Sequence, residues 1–299
     1  MFTSGSTGIP KGVMVSRDAL AHYVEWALEE MSIVPGDRWS QHPNIGFDLS
    51  VLDIYGALCG GATLYPIDNP RDRLVPGESI RRHRLTIWNS VPSVIDLIQR
   101  SGHVTAKHFE SLRLITFCGE PLLETHLDAI FSVRPDIVVH NTYGPTEATV
   151  SFTLIRLRSD TYRDFCHHSV ALGEPIRGMG LHLIGENPSD AGEIVISGPQ
   201  LALGYWRAEE QTSAAFCQME IDGKTRFVYR TGDWAQRRGS EMYFVRRIDR
   251  QVKIHGNRLE LGEVDTALRA CGAPAACTIL FDGELNSFIE CSKNIDVAT

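Results

Sequence analysis

The chain has 299 residues, of which 43% are hydrophobic, and its 29 Lys and Arg against 37 Asp and Glu give a net charge of -8. This length and composition allow a substantial core and more than one folding unit. The acidic balance predicts no nucleic-acid partner, and the lack of a long apolar run or a basic-then-apolar leader predicts no membrane partner and a cytoplasmic location.

The first feature along the chain is a segment rich in glycine and hydroxyl groups, FTSGSTGIPKG, at residues 2–12. Glycines let backbone N–H groups approach an anion, and a lysine adds positive charge. The segment is not a P-loop, because Lys11 follows Pro10 and precedes Gly12. The alternative is a solvated linker, although a linker would not end in Pro-Lys-Gly-Val before an amphipathic helix. The predicted phosphate ligands are Thr3, Ser4, Gly5, Ser6, Thr7, Gly8 and Lys11.

Helices and strands alternate from there to about residue 150. Ser16 can cap an amphipathic helix directly after the loop, which would place the loop at a helix N-terminus, as anion binding favours. The further predicted elements are a helix at 51–59, strands at 62–67 and 85–88, a helix at 93–100, a strand at 112–117, a helix at 122–132 and a strand at 137–140. This rhythm is typical of a parallel sheet that binds ligands at the carboxyl ends of its strands.

The pattern changes after residue 173. Short strand-like segments separated by Gly, Pro and Asp continue to residue 244 and predict a small antiparallel barrel or sheet. A domain boundary is predicted near Ile248 and Asp249, after which the segment QVKIHG and a helix at about 262–270 begin another unit.

Six motifs occur in an order that resembles the adenylate-forming superfamily of acyl-CoA synthetases, luciferases and peptide-synthetase adenylation domains. They are TSGSTGIPKG (3–12), FDLS (47–50), NTYGPTE (141–147), GEIVISGPQLALGYW (192–206), YRTGD (229–233) and RRIDRQVKIHGNRLELGEVD (246–265). Within it, FCGE (117–120) and NTYGPTEATV (141–150) resemble D-alanine–carrier protein ligases. The resemblance implies an α/β fold of layered sheets flanked by helices, then a small antiparallel β-barrel-like region and the start of a mobile α+β C-terminal subdomain. The implied domains are 1–247 and 249–299.

Activating a carboxylic acid with ATP brings two anions together. The site therefore needs cations and N–H groups that bind the phosphates, and a metal ion. Lys11 suits the β- and γ-phosphates. By resemblance, Thr146 lies near the α-phosphate, Glu147 holds Mg²⁺, and Arg247 contacts the nucleotide. The alternative for Glu147 is an acid in a surface turn.

Adenosine recognition is assigned by the same resemblance. Tyr143 offers an aromatic face to the adenine, the Gly119-Glu120-Pro121 backbone covers the other face, and Asn141 pairs with the base edge. Asp233 accepts from both ribose hydroxyls. The alternative for Asp233 is an ordinary turn residue before a strand.

The activated acid depends on Asp48, the carboxylate that amino-acid-activating relatives use to hold the substrate ammonium. A partly buried Asp is costly without a cation, so a cationic substrate is a physical reason for it. The alternative is a helix N-cap. Cys118 matches the small pocket-lining cysteine of D-alanine ligases, and its alternative is an inert core thiol.

The region after residue 245 resembles the superfamily's hinge and moving subdomain. Asp249 matches the hinge, and Lys253 and Gly262 match positions facing the carrier arm. Arg246 stands where the family usually has Gly, so the resemblance does not predict the geometry of the local turn. Lys293 lacks the sequence context of the family's late catalytic lysine, and Met1 lies within the loop motif. We therefore expect a truncated fragment with impaired activity.

The implied function is ATP-dependent conversion of an amino acid, with D-alanine as one candidate, to its adenylate with release of pyrophosphate. Thioester transfer to a phosphopantetheinyl carrier protein follows. Two alternatives stay open. One is an acyl-CoA ligase for another carboxylic acid, and the other is a non-catalytic nucleotide-binding remnant.

Overall fold

The computed structural model of the protein describes residues 1–4, 10–254, 257–281 and 284–290. Within these ranges, no helix has both the length and the apolar character needed to cross a bilayer. A short antiparallel hairpin closes the base of the predicted phosphate-binding loop. Its strands are β1 (Phe2–Thr3) and β2 (Lys11–Gly12), paired with Thr3 opposite Lys11.

The first helix confirms the predicted cap. Helix α1 spans Arg17–Glu30, and its N-cap Ser16 accepts a hydrogen bond from the Ala19 N–H at 3.0 Å. Residues 13–15 separate this cap from the predicted loop at residues 2–12, and the pairing of β1 with β2 closes the base of that loop. The placement of the loop at the helix N-terminus stays a prediction, because residues 5–9 lie outside the described residues.

A seven-stranded sheet forms the main body. In chain order its strands are β3 (Arg38–Gln41), β4 (Thr63–Pro66), β5 (Ile87–Ser90), β6 (Leu114–Phe117), β7 (Val138–Tyr143), β8 (Thr153–Leu157) and β9 (Glu174–Pro175). They lie side by side in the order β4-β3-β5-β6-β7-β8-β9. Pairing is parallel from β4 to β7, as predicted, but β8 and β9 are antiparallel additions, so the sheet is mixed.

Helices cover both faces of this sheet. They are α2 (Leu49–Cys59), α3 (Pro70–Leu74), α4 (Gly77–Arg82), α5 (Ser93–Arg100) and α6 (Glu124–Val133). Side chains alternate along the strands. Ile87 packs with α1 and α2, whereas its neighbour Trp88 packs with α5 and α6. The elements predicted between residues 51 and 140 are confirmed, and β3, α3 and α4 were not predicted.

A second, antiparallel sheet follows. Its strands are β10 (Gly180–Ile184), β11 (Ala191–Ser197), β12 (Phe216–Ile221), β13 (Lys224–Arg238) and β14 (Glu241–Arg247), and helix α7 (Glu209–Ala215) precedes β12. The long β13 pairs with β12 along its first half, with β14 along its second half and with β11 on the other side. Register shifts near residues 193–195 and 234–235 bend the strands, giving the curled sheet that the sequence predicts.

The last described part forms small two-stranded sheets around one helix. Strands β15 (Gln251–Ile254) and β16 (Asn257–Glu260) form a hairpin, and β17 (Ala276–Phe281) pairs with β18 (Glu284–Ile289). Helix α8 (Leu261–Ala270) lies between the two hairpins in sequence. The division at residues 247–249 stays a prediction.

Candidate active site

Two turns at the carboxyl ends of β6 and β7 form the centre of the site. Cys118 is buried at the end of β6, and Gly119 follows with φ of +94°, a conformation that suits glycine. After β7, Gly144 approaches Ser151 so closely that a Cβ atom added to it would lie 2.4 Å from the Ser151 Cα. The glycines therefore allow both turns to fold tightly over the sheet edge.

A first cavity at this edge contains residues from most of the predicted motifs. Its lining includes Thr3, Ser4, Asp48, Cys118, Gly119, Thr146, Asp233 and Arg247. The predicted substrate residues thus face the same space as residues predicted to contact phosphate and nucleotide.

Asp48 occupies the N-cap position of α2 without using its side chain as a cap. Its Oδ2 atom instead accepts a hydrogen bond from Thr146 Oγ1 at 2.6 Å. The N-cap alternative is therefore wrong for this carboxylate, which is half-buried against the turn after β7.

The first turn of α2 is held by a buried polar network. The Asp53 carboxylate accepts hydrogen bonds from Trp39 Nε1 at 3.1 Å and from Asn89 Nδ2 at 2.9 Å. Asn89 also donates to the Leu49 carbonyl at 3.2 Å. Burial raises the pKa of Asp53 well above its usual range. The network ties the start of α2, and with it Asp48, to the sheet.

The described ends of the predicted phosphate-binding loop carry unsatisfied hydroxyl groups. Thr3 Oγ1 and Ser4 Oγ are buried, and neither has a hydrogen-bond partner in the described part of the chain. Both residues line the first cavity. Gly5, Ser6, Thr7 and Gly8 lie outside the described residues.

Glu147 and Lys11 meet at a tyrosine that the sequence analysis did not single out. Glu147 is fully buried, and its Oε1 accepts a hydrogen bond from the Tyr205 hydroxyl at 2.8 Å. Lys11 Nζ lies 4.7 Å from the centre of the Tyr205 ring. Burial and the Glu147 carboxylate raise the pKa of Tyr205, which keeps its proton on the hydroxyl. The surface-turn alternative for Glu147 is wrong, but neither Glu147 nor Lys11 is among the residues lining the two cavities.

The turn after Glu147 has a strained backbone. Thr149 and Val150 adopt φ angles of +56° and +72°. A β-branched residue such as valine rarely takes this left-handed conformation, which costs about 1–3 kcal/mol. Val150 lines the first cavity, so the strain lies at the site itself.

A second cavity of about 440 Å³ adjoins the first. It contains the residues predicted for adenosine, namely Gly119, Glu120, Pro121, Asn141, Tyr143 and Asp233. The two cavities share Gly119, Asp233, Arg247 and Gln251. A ligand could therefore extend from one cavity into the other.

Asp233 links the two parts of the site through charged hydrogen bonds. Its Oδ2 accepts from the Tyr143 hydroxyl at 2.5 Å and its Oδ1 from Arg247 at 2.8 Å. Burial and the Asp233 carboxylate raise the pKa of Tyr143 well above its usual range. Asp233 is 5% exposed, so the turn-residue alternative is wrong for it.

Asn141 and Glu120 also use part of their hydrogen-bonding capacity within the protein. Asn141 Nδ2 donates one of its two hydrogens to the Ala171 carbonyl at 3.0 Å, which fixes the orientation of the amide. Glu120 Oε2 accepts from the Ser93 N–H at 3.1 Å at the start of α5.

Arg247 bridges the body of the protein and the predicted hinge. Besides Asp233, it donates to the Thr231 carbonyl at 2.9 Å and to Asp249 Oδ1 at 2.8 Å. Arg246, where the family usually has glycine, stays in β14 opposite Trp234, next to the register shift. Gly262 lies in α8, and the Lys253 side chain and Lys293 lie outside the described residues.

Gln251 is the main site residue that the sequence analysis missed. It is 3% exposed, lines both cavities, and neither its Oε1 nor its Nε2 has a hydrogen-bond partner within the described ranges. Its position next to Val252, in a motif already recognised, was the signal available.

Comparison with known proteins identifies the family. Residues 1–206 match the AMP-binding enzyme family. The L-proline--[L-prolyl-carrier protein] ligase of Streptomyces coelicolor is 38% identical over 295 residues, which cover 95% of this chain and 53% of that protein. The D-alanine--D-alanyl carrier protein ligase of Listeria monocytogenes is 33% identical over 293 residues, 94% of this chain and 55% of that protein.

A solved structure agrees with these relatives. The Vibrio cholerae adenylation domain AlmE, in complex with glycyl-adenosine-5'-phosphate, superposes with a TM-score of 0.88 at 33% identity. The match covers 97% of this chain and 56% of AlmE. This chain thus spans about half the length of the curated relatives it matches. The predicted resemblance to adenylate-forming enzymes is confirmed, and the chain belongs to the AMP-binding enzyme family.

Proposed function

We propose that this chain carries the nucleotide and substrate sites of an enzyme that activates an amino acid with ATP. A substrate carboxylate oxygen forms a bond to the α-phosphorus, the bond from that phosphorus to the bridging oxygen breaks, and pyrophosphate leaves. The observation that carries the proposal is the pair of adjoining cavities, one containing Tyr143 and Asp233 and the other containing Asp48.

The unsatisfied polar atoms around the cavities fit a nucleotide. Buried hydroxyl and amide groups without partners are costly, and a ligand rich in oxygen and nitrogen would satisfy those of Thr3, Ser4 and Gln251. The Tyr143 ring offers an apolar surface for adenine. The Asp233 carboxylate can accept ribose hydroxyls in addition to its present donors, because a carboxylate has about four lone-pair sites.

The phosphate end of the site is assigned to the loop base and the turn after β7. Thr146 would turn its single hydroxyl hydrogen from Asp48 to the α-phosphate, and Lys11 would offset the charge of the leaving pyrophosphate. The donor chemistry also fits Mg²⁺, which prefers oxygen ligands, with Glu147 as the side chain to hold it. When bound, Mg²⁺ would neutralise charge on the phosphate oxygens. Tyr205 orients the Glu147 carboxylate through its hydroxyl.

The amino-acid class is assigned to Asp48. Its carboxylate would pair with the α-ammonium, while Cys118 bounds the space for the side chain. The relatives are named for proline and D-alanine, and AlmE was solved with a glycyl adenylate. These three amino acids all carry an amino group but differ in side chain. We therefore propose a small amino acid as the substrate and assign no enantiomer.

The second half-reaction follows from the same family. We propose that the thiol of a phosphopantetheinyl carrier protein forms a thioester with the aminoacyl carbon while the bond to the phosphate oxygen breaks and AMP leaves, with Asp249 as the hinge between domains 1–247 and 249–299. Lys253 and Gly262 would then face the carrier arm, and the protein would work in the cytoplasm.

The test is calorimetric binding of adenylate mimics in which a sulfamate replaces the phosphate. Glycyl, D-alanyl and L-prolyl mimics are compared with a propionyl mimic that lacks the amine, and Asp233→Ala serves as the control that should weaken all four. At least one aminoacyl mimic should bind about tenfold or more tightly than the propionyl mimic. Equal affinity would favour the acyl-CoA ligase alternative, and no binding of any mimic would overturn the proposal.

A further inference from the structure

Two histidines and a glutamate converge far from both cavities. Glu78 lies in α4, and His103 and His108 lie in the segment that leads into the amino end of β6. One imidazole nitrogen from each histidine and one carboxylate oxygen all lie within 4.8 Å of one another. The cavities open at the carboxyl ends of the strands, so this cluster occupies the opposite edge of the sheet.

The ring of His108 is held in a defined orientation. Its Nδ1 lies 2.8 Å from Thr105 Oγ1, which also accepts the His108 backbone N–H at 3.2 Å. His108 Nε2 then points at Glu78 Oε1, 3.0 Å away. Metal-bound histidines commonly donate their second ring N–H to an oxygen in this way, which fixes the tautomer.

His103 adds a second nitrogen that needs a partner. Its ring stacks on His108 with centroids 4.5 Å apart, so one of the two rings must turn before both can bind a single ion in their ring planes. Its Nδ1 is buried and has no hydrogen-bond partner among the residues that the structure describes. The ring packs over Gly77, where a Cβ atom would lie 2.6 Å from the His103 Cβ, so the glycine makes room for it.

We propose that Glu78, His103 and His108 form a binding site for a divalent transition-metal ion, with Zn²⁺ as the best match. Two imidazoles and one carboxylate are typical zinc ligands, and water completes the tetrahedron. Bonds of about 2.0–2.1 Å at tetrahedral angles place ligand atoms about 3.3 Å apart, so the cluster would contract on binding. Arg81 holds the other Glu78 oxygen at 2.6 Å, which leaves Oε1 for the ion. The ion would tie α4 to the segment before β6.

The test titrates the 299-residue chain with Zn²⁺ against a chromophoric chelator and records the visible spectrum with Co²⁺. One equivalent of Zn²⁺ should bind, and Co²⁺ should give the strong absorption of a tetrahedral site. His103→Ala and His108→Gln should each weaken Zn²⁺ binding by at least about tenfold. The control is His167→Ala with His168→Ala, an exposed pair with ring centroids 4.1 Å apart, which should bind as the parent does.

Because His108 is 9% exposed and its replacement could unfold the segment, Glu78→Gln repeats the test at a residue nearer the surface. It should weaken binding similarly while circular dichroism shows an unchanged fold. The proposal is overturned if no equivalent binds at about 100 µM Zn²⁺. It is also overturned if the His167/His168 control loses the binding that the cluster variants keep.

Discussion

Replacing Asp48 tests the assignment of the amino-acid pocket. Asp48→Asn removes the negative charge but keeps an oxygen that can accept from Thr146 Oγ1, which lies 2.6 Å from the native carboxylate. Asp48→Ala removes both. If the carboxylate holds the substrate ammonium, the Asn variant should bind aminoacyl-adenylate mimics weakly and bind AMP normally.

The structure sets the size of the effect. Asp48 is half-buried, so losing its charge should cost about 2–3 kcal/mol, the lower part of the range for a broken buried ion pair. This corresponds to a dissociation constant about 30- to 160-fold higher.

Calorimetry with three ligands separates these contributions. The aminoacyl mimic should lose affinity in both variants, whereas AMP and the amine-free propionyl mimic should change by less than about twofold in Asp48→Asn. Thr146→Val is the comparison variant: it leaves the Asp48 charge but removes the hydroxyl assigned to the α-phosphate, so it should weaken AMP and all the mimics alike. An Asn variant that binds the aminoacyl mimic normally, or that loses the propionyl mimic equally, would refute the ammonium assignment.

Three further variants address the rest of the site. Tyr143→Phe removes one donor from Asp233 while Arg247 remains, so the free energy of unfolding in urea should fall by about 1.5–3 kcal/mol, and an unchanged value would contradict the role of this contact. Cys118→Ala should change the relative affinities of the glycyl, D-alanyl and L-prolyl mimics by about 1–3 kcal/mol. Unchanged affinity ratios would indicate that Cys118 only packs in the core. Gln251→Leu should weaken AMP binding by up to about tenfold without lowering the free energy of unfolding, because the amide has no partner among the described residues, and equal AMP affinity would remove it from the nucleotide site.

The residues of the first cavity were predictable because they belong to motifs whose order along the chain resembles the adenylate-forming superfamily. Asp48, Cys118 and Thr146 come from three separate segments, FDLS, FCGE and NTYGPTE. The structure brings these three to one cavity. Their roles in catalysis stay predictions.

Contacts between residues of different motifs were not predictable. Tyr205 joins Glu147 and Lys11 across long stretches of chain, and nothing in its local sequence indicates that contact. Strand β2 was also missed, because two paired residues show no periodicity.

The central claim is that adenosine lies beside Tyr143 and Asp233 while an aminoacyl group reaches Asp48. A crystal structure of the chain with a bound aminoacyl-sulfamoyl adenosine tests it most directly. The account predicts adenine against the Tyr143 ring, ribose hydroxyls on Asp233, and the ammonium within hydrogen-bonding distance of Asp48. Adenine outside the second cavity, or an ammonium that points away from Asp48, would contradict it.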